Sequence, residues 1–101
     1  KYRREVMIVY VGLLTIKEGK REEYIQQLLN SGMIDIFRKQ KGNVYYQVAR
    51  SETDENVIVV TDGWENIAAF TEHDTCKVVE EVWKSLAGEY VLETKGFVLK
   101  Q

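Results

Sequence analysis

The segment Val6–Ile16, VMIVYVGLLTI, is apolar on both faces of the strand it encodes. Val6, Ile8, Tyr10, Gly12 and Leu14 fall on one side, and Met7, Val9, Val11 and Leu13 on the other. A sheet with one face in water alternates apolar with polar residues, and this segment does not. A second segment, Val57–Val60 (VIVV), is equally β-branched and apolar. The sheet these strands enter therefore has to be covered on both sides. At ~25 cal/mol per Å², several wet Val and Ile side chains would forfeit free energy comparable with the whole stability of a small domain.

The remaining elements follow from periodicity. Arg21–Gln40 carries Tyr24, Ile25, Leu28, Leu29, Gly32, Met33, Ile36 and Phe37 at the spacing of an amphipathic helix, with a kink or break expected at Asn30-Ser31-Gly32. Lys41-Gly42-Asn43 closes it with a C-cap glycine. Val44–Ser51 reads as a second strand, joined through the polar turn Glu52–Asn56 to a third that begins at Val57. Asp62-Gly63-Trp64-Glu65 ends that strand, and Asn66 can cap a short helix starting Ile67-Ala-Ala-Phe. Asp74-Thr75 is placed to cap a further helix, on which Cys76, Val79, Val82, Trp83 and Leu86 share a face and which Gly88 stops. Tyr90–Leu99 is the last strand, with Gly96 a bulge or bend.

The order β-α-β-β-α-β, its second helix in two pieces, is that of the ferredoxin-like α+β fold: a four-stranded antiparallel sheet with helices on one face. Helices leave the other face bare, and a second copy of the same sheet is the simplest cover, making a homodimer. We read 1–5 as a solvated N-terminal tail and 6–101 as one domain.

Composition removes several classes of function. Fourteen basic against sixteen acidic residues give a net charge of −2 with no basic stripe, which argues against nucleic-acid binding. The longest apolar run is too short to span a bilayer, and no cleavage-site pattern follows it, so no membrane association is expected. The single cysteine fits a reducing, cytoplasmic setting. A Cys76–His73 pair at helical spacing does not make a zinc site, and no metal is expected.

The chain resembles the antibiotic-biosynthesis-monooxygenase family of dimeric α+β barrels, which holds small cofactor-free quinol and anthrone oxygenases. The resemblance is carried by Met7-Ile-Val-Tyr-Val, Lys17-Glu-Gly-Lys, Gly42-Asn-Val-Tyr-Tyr and, most specifically, Gly63-Trp64-Glu65-Asn66-Ile-Ala-Ala-Phe70 running into Glu72-His73. Thr75-Cys76-Lys77 stands where the family usually has a second histidine, and Glu18 where a proline is frequent. The helix on which the heme-degrading branch carries its axial histidine here has none.

The resemblance implies a reaction without cofactor: an electron-rich phenol, quinol or anthrone, once deprotonated, passes an electron directly to dioxygen. The protein then supplies a dry pocket, a group that takes the proton and a donor for the developing oxyanion. Carried onto this chain, Trp64 walls the pocket or donates its indole N–H, and His73 exchanges the proton, its ordinary pKa lying near ~6.5. Tyr10, Tyr46, Phe70 and Trp83 are the expected substrate-binding walls. A second reading stays open: a non-catalytic homodimer of the same fold that binds a small molecule as sensor or carrier.

Overall fold

The computed structural model describes residues 6–101. The tail 1–5 lies outside the described residues. Eight elements follow one another: β1 (Ile8–Ile16), α1 (Arg21–Asn30), α2 (Met33–Arg38), β2 (Asn43–Arg50), β3 (Val57–Trp64), α3 (Ile67–Asp74), α4 (Lys77–Tyr90) and β4 (Val91–Lys100). The strands make one antiparallel sheet in the order β2-β3-β1-β4. That is the ferredoxin-like arrangement, as the order of elements implied.

The helix break falls where the weak helix formers sit. Gly32 turns left-handed at φ 76°, and the Ser31 hydroxyl donates to the Leu28 carbonyl while accepting from the Met33 N–H. Splitting the long helix into α1 and α2 lets Tyr24, Ile25, Leu28, Met33, Ile34 and Phe37 all reach the core. Asn66 caps α3 as expected, its side chain accepting from the Ala69 N–H at 2.9 Å.

Four local expectations are corrected. β1 begins at Ile8 rather than Val6. Lys39, not the left-handed Gly42, is the C-cap of α2; Gly42 instead lets α3 approach, because a Cβ there would meet Cβ of Ala69 at 2.5 Å. Asp74 belongs to α3, and the N-cap of α4 is Cys76 with no side-chain bond. Gly88 does not stop α4, which runs to Tyr90 and passes straight into β4 because the amphipathic face continues to the buried Tyr90 ring.

Gly96 is the fifth. It stays in register opposite Gly12, and the sheet's irregularity lies instead at Thr15/Ile16. What Gly96 provides is room. A Cβ on it would strike the Tyr10 hydroxyl, and one on Gly12 would come 2.9 Å from the same ring. Tyr10 thus lies across a pair of facing glycines.

All four helices share one side of the sheet, and the core lies between them. On the other side, β1 presents Val9, Val11 and Leu13 beside Val59 of β3 and Phe97 and Leu99 of β4. Leu13, Phe97 and Leu99 are 38%, 52% and 48% exposed, so the face that the sequence says must be covered is bare in the single chain. No helix among the described residues is long and apolar enough to cross a membrane.

Candidate functional site

Strand alternation places Ile58, Val60, Asp62 and Trp64 of β3 on the helix-covered side, and all four are buried. A carboxylate in that series is the anomaly. Asp62 is 2% exposed and pairs across the sheet with Tyr10 of β1 and Tyr46 of β2. Two phenols therefore flank one buried carboxylate in a row across three strands. Arg38 fixes the outer end of the row by donating from Nε and Nη2 to the Tyr46 carbonyl oxygen at 3.1 and 2.8 Å.

Above this row α3 and α4 close a cavity of about 190 Å³. Tyr10, Tyr46, Phe70, His73 and Trp83 line it, together with Asp62, Asp74, Leu14, Val60, Val79 and Thr94. The Tyr10 and Phe70 rings stack with centroids 6.4 Å apart. Five of the six residues singled out in the sequence thus meet in one place. Trp64 does not line the cavity. It is fully buried behind His73, its indole stacked on the imidazole at 4.4 Å, and its Nε1–H donates to Asp62 Oδ2 at 2.6 Å. The indole N–H is thereby committed to Asp62.

His73 is held by three aromatic rings and one hydrogen bond, and still lines the cavity. Trp64 covers one ring face, Phe37 meets it edge-on at 4.6 Å, and Tyr46 lies 5.9 Å away. Nδ1 is 2.7 Å from Gln40 Oε1. An amide oxygen only accepts, so Nδ1 carries the hydrogen and Nε2 the lone pair. Gln40 in turn donates from Nε2 to Cys76 Sγ at 3.5 Å. Both His73 and Cys76 are therefore tied to Gln40, at the end of the α2 turn.

The electrostatics reverse the roles that ordinary pKa values suggest. Burial lowers His73 from 6.5 to about 4, against a smaller opposing pull from Asp74, so at neutral pH it is an uncharged imidazole. Burial raises Asp62 from 3.8 to about 6, the Trp64 N–H opposing and Asp74 adding to the rise. Burial, then the charges of Asp62 and Asp74, raise Tyr10; burial, then Asp62, raise Tyr46 well above the usual phenol range. The group that titrates nearest neutrality in the cavity is Asp62, and the two tyrosines stay protonated as hydrogen-bond donors.

Asp62, Asp74 and Gln40 are site residues that the sequence reading misses. Asp62 has a signal, since it stands in phase with Ile58, Val60 and Trp64 on the buried side of β3. The glycine that follows it makes it read as part of a strand-ending turn. Asp74 and Gln40 carry no comparable mark.

Residues 7–81 match the family model described as antibiotic biosynthesis monooxygenase. The chain belongs to that family. YcnE of Bacillus subtilis (strain 168), provisionally named a monooxygenase, is 28% identical over 68 residues, 67% of this chain and 70% of its own length. The crystal structure of protein SO0527 from Shewanella oneidensis superposes with a TM-score of 0.85 at 25% identity, over 100% of this chain and 95% of that one. SnoaB, a cofactor-independent oxygenase from Streptomyces nogalater whose structure is that of a mutant, superposes with a TM-score of 0.77 over 92% of this chain and 90% of its own. At 15% identity, SnoaB shares the fold of this family member.

Proposed function

We propose that this protein is a cofactor-independent monooxygenase acting with dioxygen on an aromatic, quinol-like small molecule, with Asp62 as its general base. The observation that carries the reading is a carboxylate that is buried, raised to about 6, and aimed by Trp64 into an aromatic cavity. Family membership supports the reaction class.

Asp62 takes the proton of a bound phenolic hydroxyl; its raised pKa brings it closer to that of a phenol and makes the transfer less uphill than to an exposed carboxylate. The phenolate passes one electron to dioxygen, the phenoxyl and superoxide radicals combine at a ring carbon, and the protonated hydroperoxide loses water, leaving a quinone that carries one of the two oxygen atoms. The Tyr10 and Tyr46 hydroxyls donate to the oxyanion that develops. His73 enters as a neutral ring with Nδ1–H spent on Gln40, so it accepts from substrate rather than carrying a proton across the reaction. Trp64 is a positioning residue: its N–H orients Asp62 and its face orients His73. Phe70 and Trp83 supply apolar walls that help exclude water.

The bare sheet face supports a homodimer in which a second copy covers Leu13, Phe97 and Leu99. The single cysteine supports a reducing, cytoplasmic setting.

The test is oxygen uptake by flavin-free, chelator-treated protein with a panel of hydroquinones and anthrones, beside Asp62→Asn and His73→Ala. Uptake that falls at least about a hundredfold in Asp62→Asn fits the contribution of a general base. Uptake no greater than buffer for the whole panel overturns the reading; ligand binding without uptake would make the protein a sensor or carrier.

A further inference from the structure

The cavity carries a charge pattern and a size that narrow what it holds. No lysine or arginine among the described residues lines it, whereas two carboxylates do, Asp62 at its base and Asp74 at the end of α3. Asp62 is nearly inaccessible, and while Oδ2 accepts from Trp64, Oδ1 accepts from no described residue. Asp74 is exposed at the rim, yet its charge is felt by Asp62, Tyr10 and His73. His73 is neutral at pH 7 and offers no counter-charge. An incoming anion would meet two like charges with nothing to offset them. A hydroxyl donor or an ammonium group would meet acceptors.

The volume acts in the same direction. A dry cavity of ~150 Å³ holds one benzene ring. At about 190 Å³ this one, open to solvent on the Asp74 side, encloses a ring with small substituents and would leave much of a three-ring system outside.

We propose that the site selects one-ring aromatic diols that are uncharged or bear a cationic side arm, and rejects carboxylated and fused-ring counterparts, with Asp74 the residue that sets the charge preference. The proposal rests on the cavity being the substrate site, as the oxygenase reading has it.

Binding is separated from turnover by calorimetric titration without oxygen, at pH 7.5 and low salt. Four probes are compared: hydroquinone, 2,5-dihydroxybenzylamine, 2,5-dihydroxybenzoate and 1,8-dihydroxyanthrone. The amine binds tightest and hydroquinone next, with the benzoate about tenfold or more weaker than hydroquinone, because its carboxylate meets Asp62 and Asp74 with no cation beside them among the described residues. The anthrone binds weakest or not at all. Asp74→Asn narrows the amine-to-benzoate ratio by about tenfold. The ratio is internal to one protein sample, so a partly folded variant does not distort it. A benzoate as tight as hydroquinone, an anthrone as tight as either, a ratio unmoved by Asp74→Asn, or no binding of any probe overturns the proposal. Binding in the expected order without oxygen uptake when air is admitted would leave this selectivity standing and remove the oxygenase reading alone.

Discussion

Asp62 and His73 shift in opposite directions, and this makes a sharp prediction for stability against pH. Asp62 is raised in the folded state, from 3.8 to about 6, so its contribution is fully present below pH 3.8 and is lost as the pH rises through 6. His73 is lowered, from 6.5 to about 4, so its contribution is present above 6.5 and lost as the pH falls through 4. Acidification from pH 7.5 to 4.5 therefore gains from one what it loses from the other. At ~1.4 kcal/mol per tenfold change in proton affinity, each is worth roughly 2–3 kcal/mol across that window. The cavity admits solvent, so we expect about half of that to survive screening. Wild type then shows little net change from this pair. Relative to wild type, Asp62→Asn loses about 1–2 kcal/mol more on acidification, and His73→Gln loses about 1–2 kcal/mol less. Urea denaturation at the two pH values measures both. Taking each variant as a difference from wild type cancels surface groups common to all three, such as the Glu22–Arg50 pair. Two variants whose pH dependence overlays that of wild type would refute the electrostatic assignment of the site.

Trp64→Ala empties a fully buried space and costs roughly 3–5 kcal/mol by thermal or urea unfolding. Trp64→Phe keeps the stack on His73 but removes the bond that lowers Asp62, so the acidic limb of the pH–rate profile moves to higher pH; an unmoved limb would detach Asp62 from catalysis. Gly96→Ala displaces the Tyr10 ring, the flexible partner, and so lowers kcat/KM while costing little in melting temperature. Leu13→Lys together with Phe97→Asp converts a dimer to a monomer in sedimentation velocity; an unaltered sedimentation coefficient would place the interface elsewhere.

The scaffold is more legible in the sequence than the site is, for physical reasons. Period-two and period-3.6 patterns are local, so β1, β3, the break at Gly32 and the Asn66 cap can all be read from adjacent residues. Tyr10, Tyr46, Phe70, His73 and Trp83 follow from strand and helix phase together with the family resemblance, and they do meet. Helix and strand ends are harder at Gly88 and Gly96, because a glycine serves either a turn or a close approach, and only the Tyr10 ring decides between them at Gly96. The protonation roles are least legible. An imidazole near its ordinary pKa is the natural proton carrier until Phe37, Trp64 and Tyr46, from three separate elements, bury it. The same packing raises a carboxylate that reads locally as part of a turn. Gln40, which fixes the His73 tautomer, comes from thirty-three residues away and leaves no local trace.

The most direct measurement is isotope incorporation from ¹⁸O₂ with flavin-free, chelator-treated protein and a hydroquinone the cavity binds, followed by mass spectrometry of the product. One labelled oxygen atom per product molecule, formed by wild type and not by Asp62→Asn, is the expected result. An unlabelled product formed at the same rate in both proteins would contradict a monooxygenase whose base is Asp62.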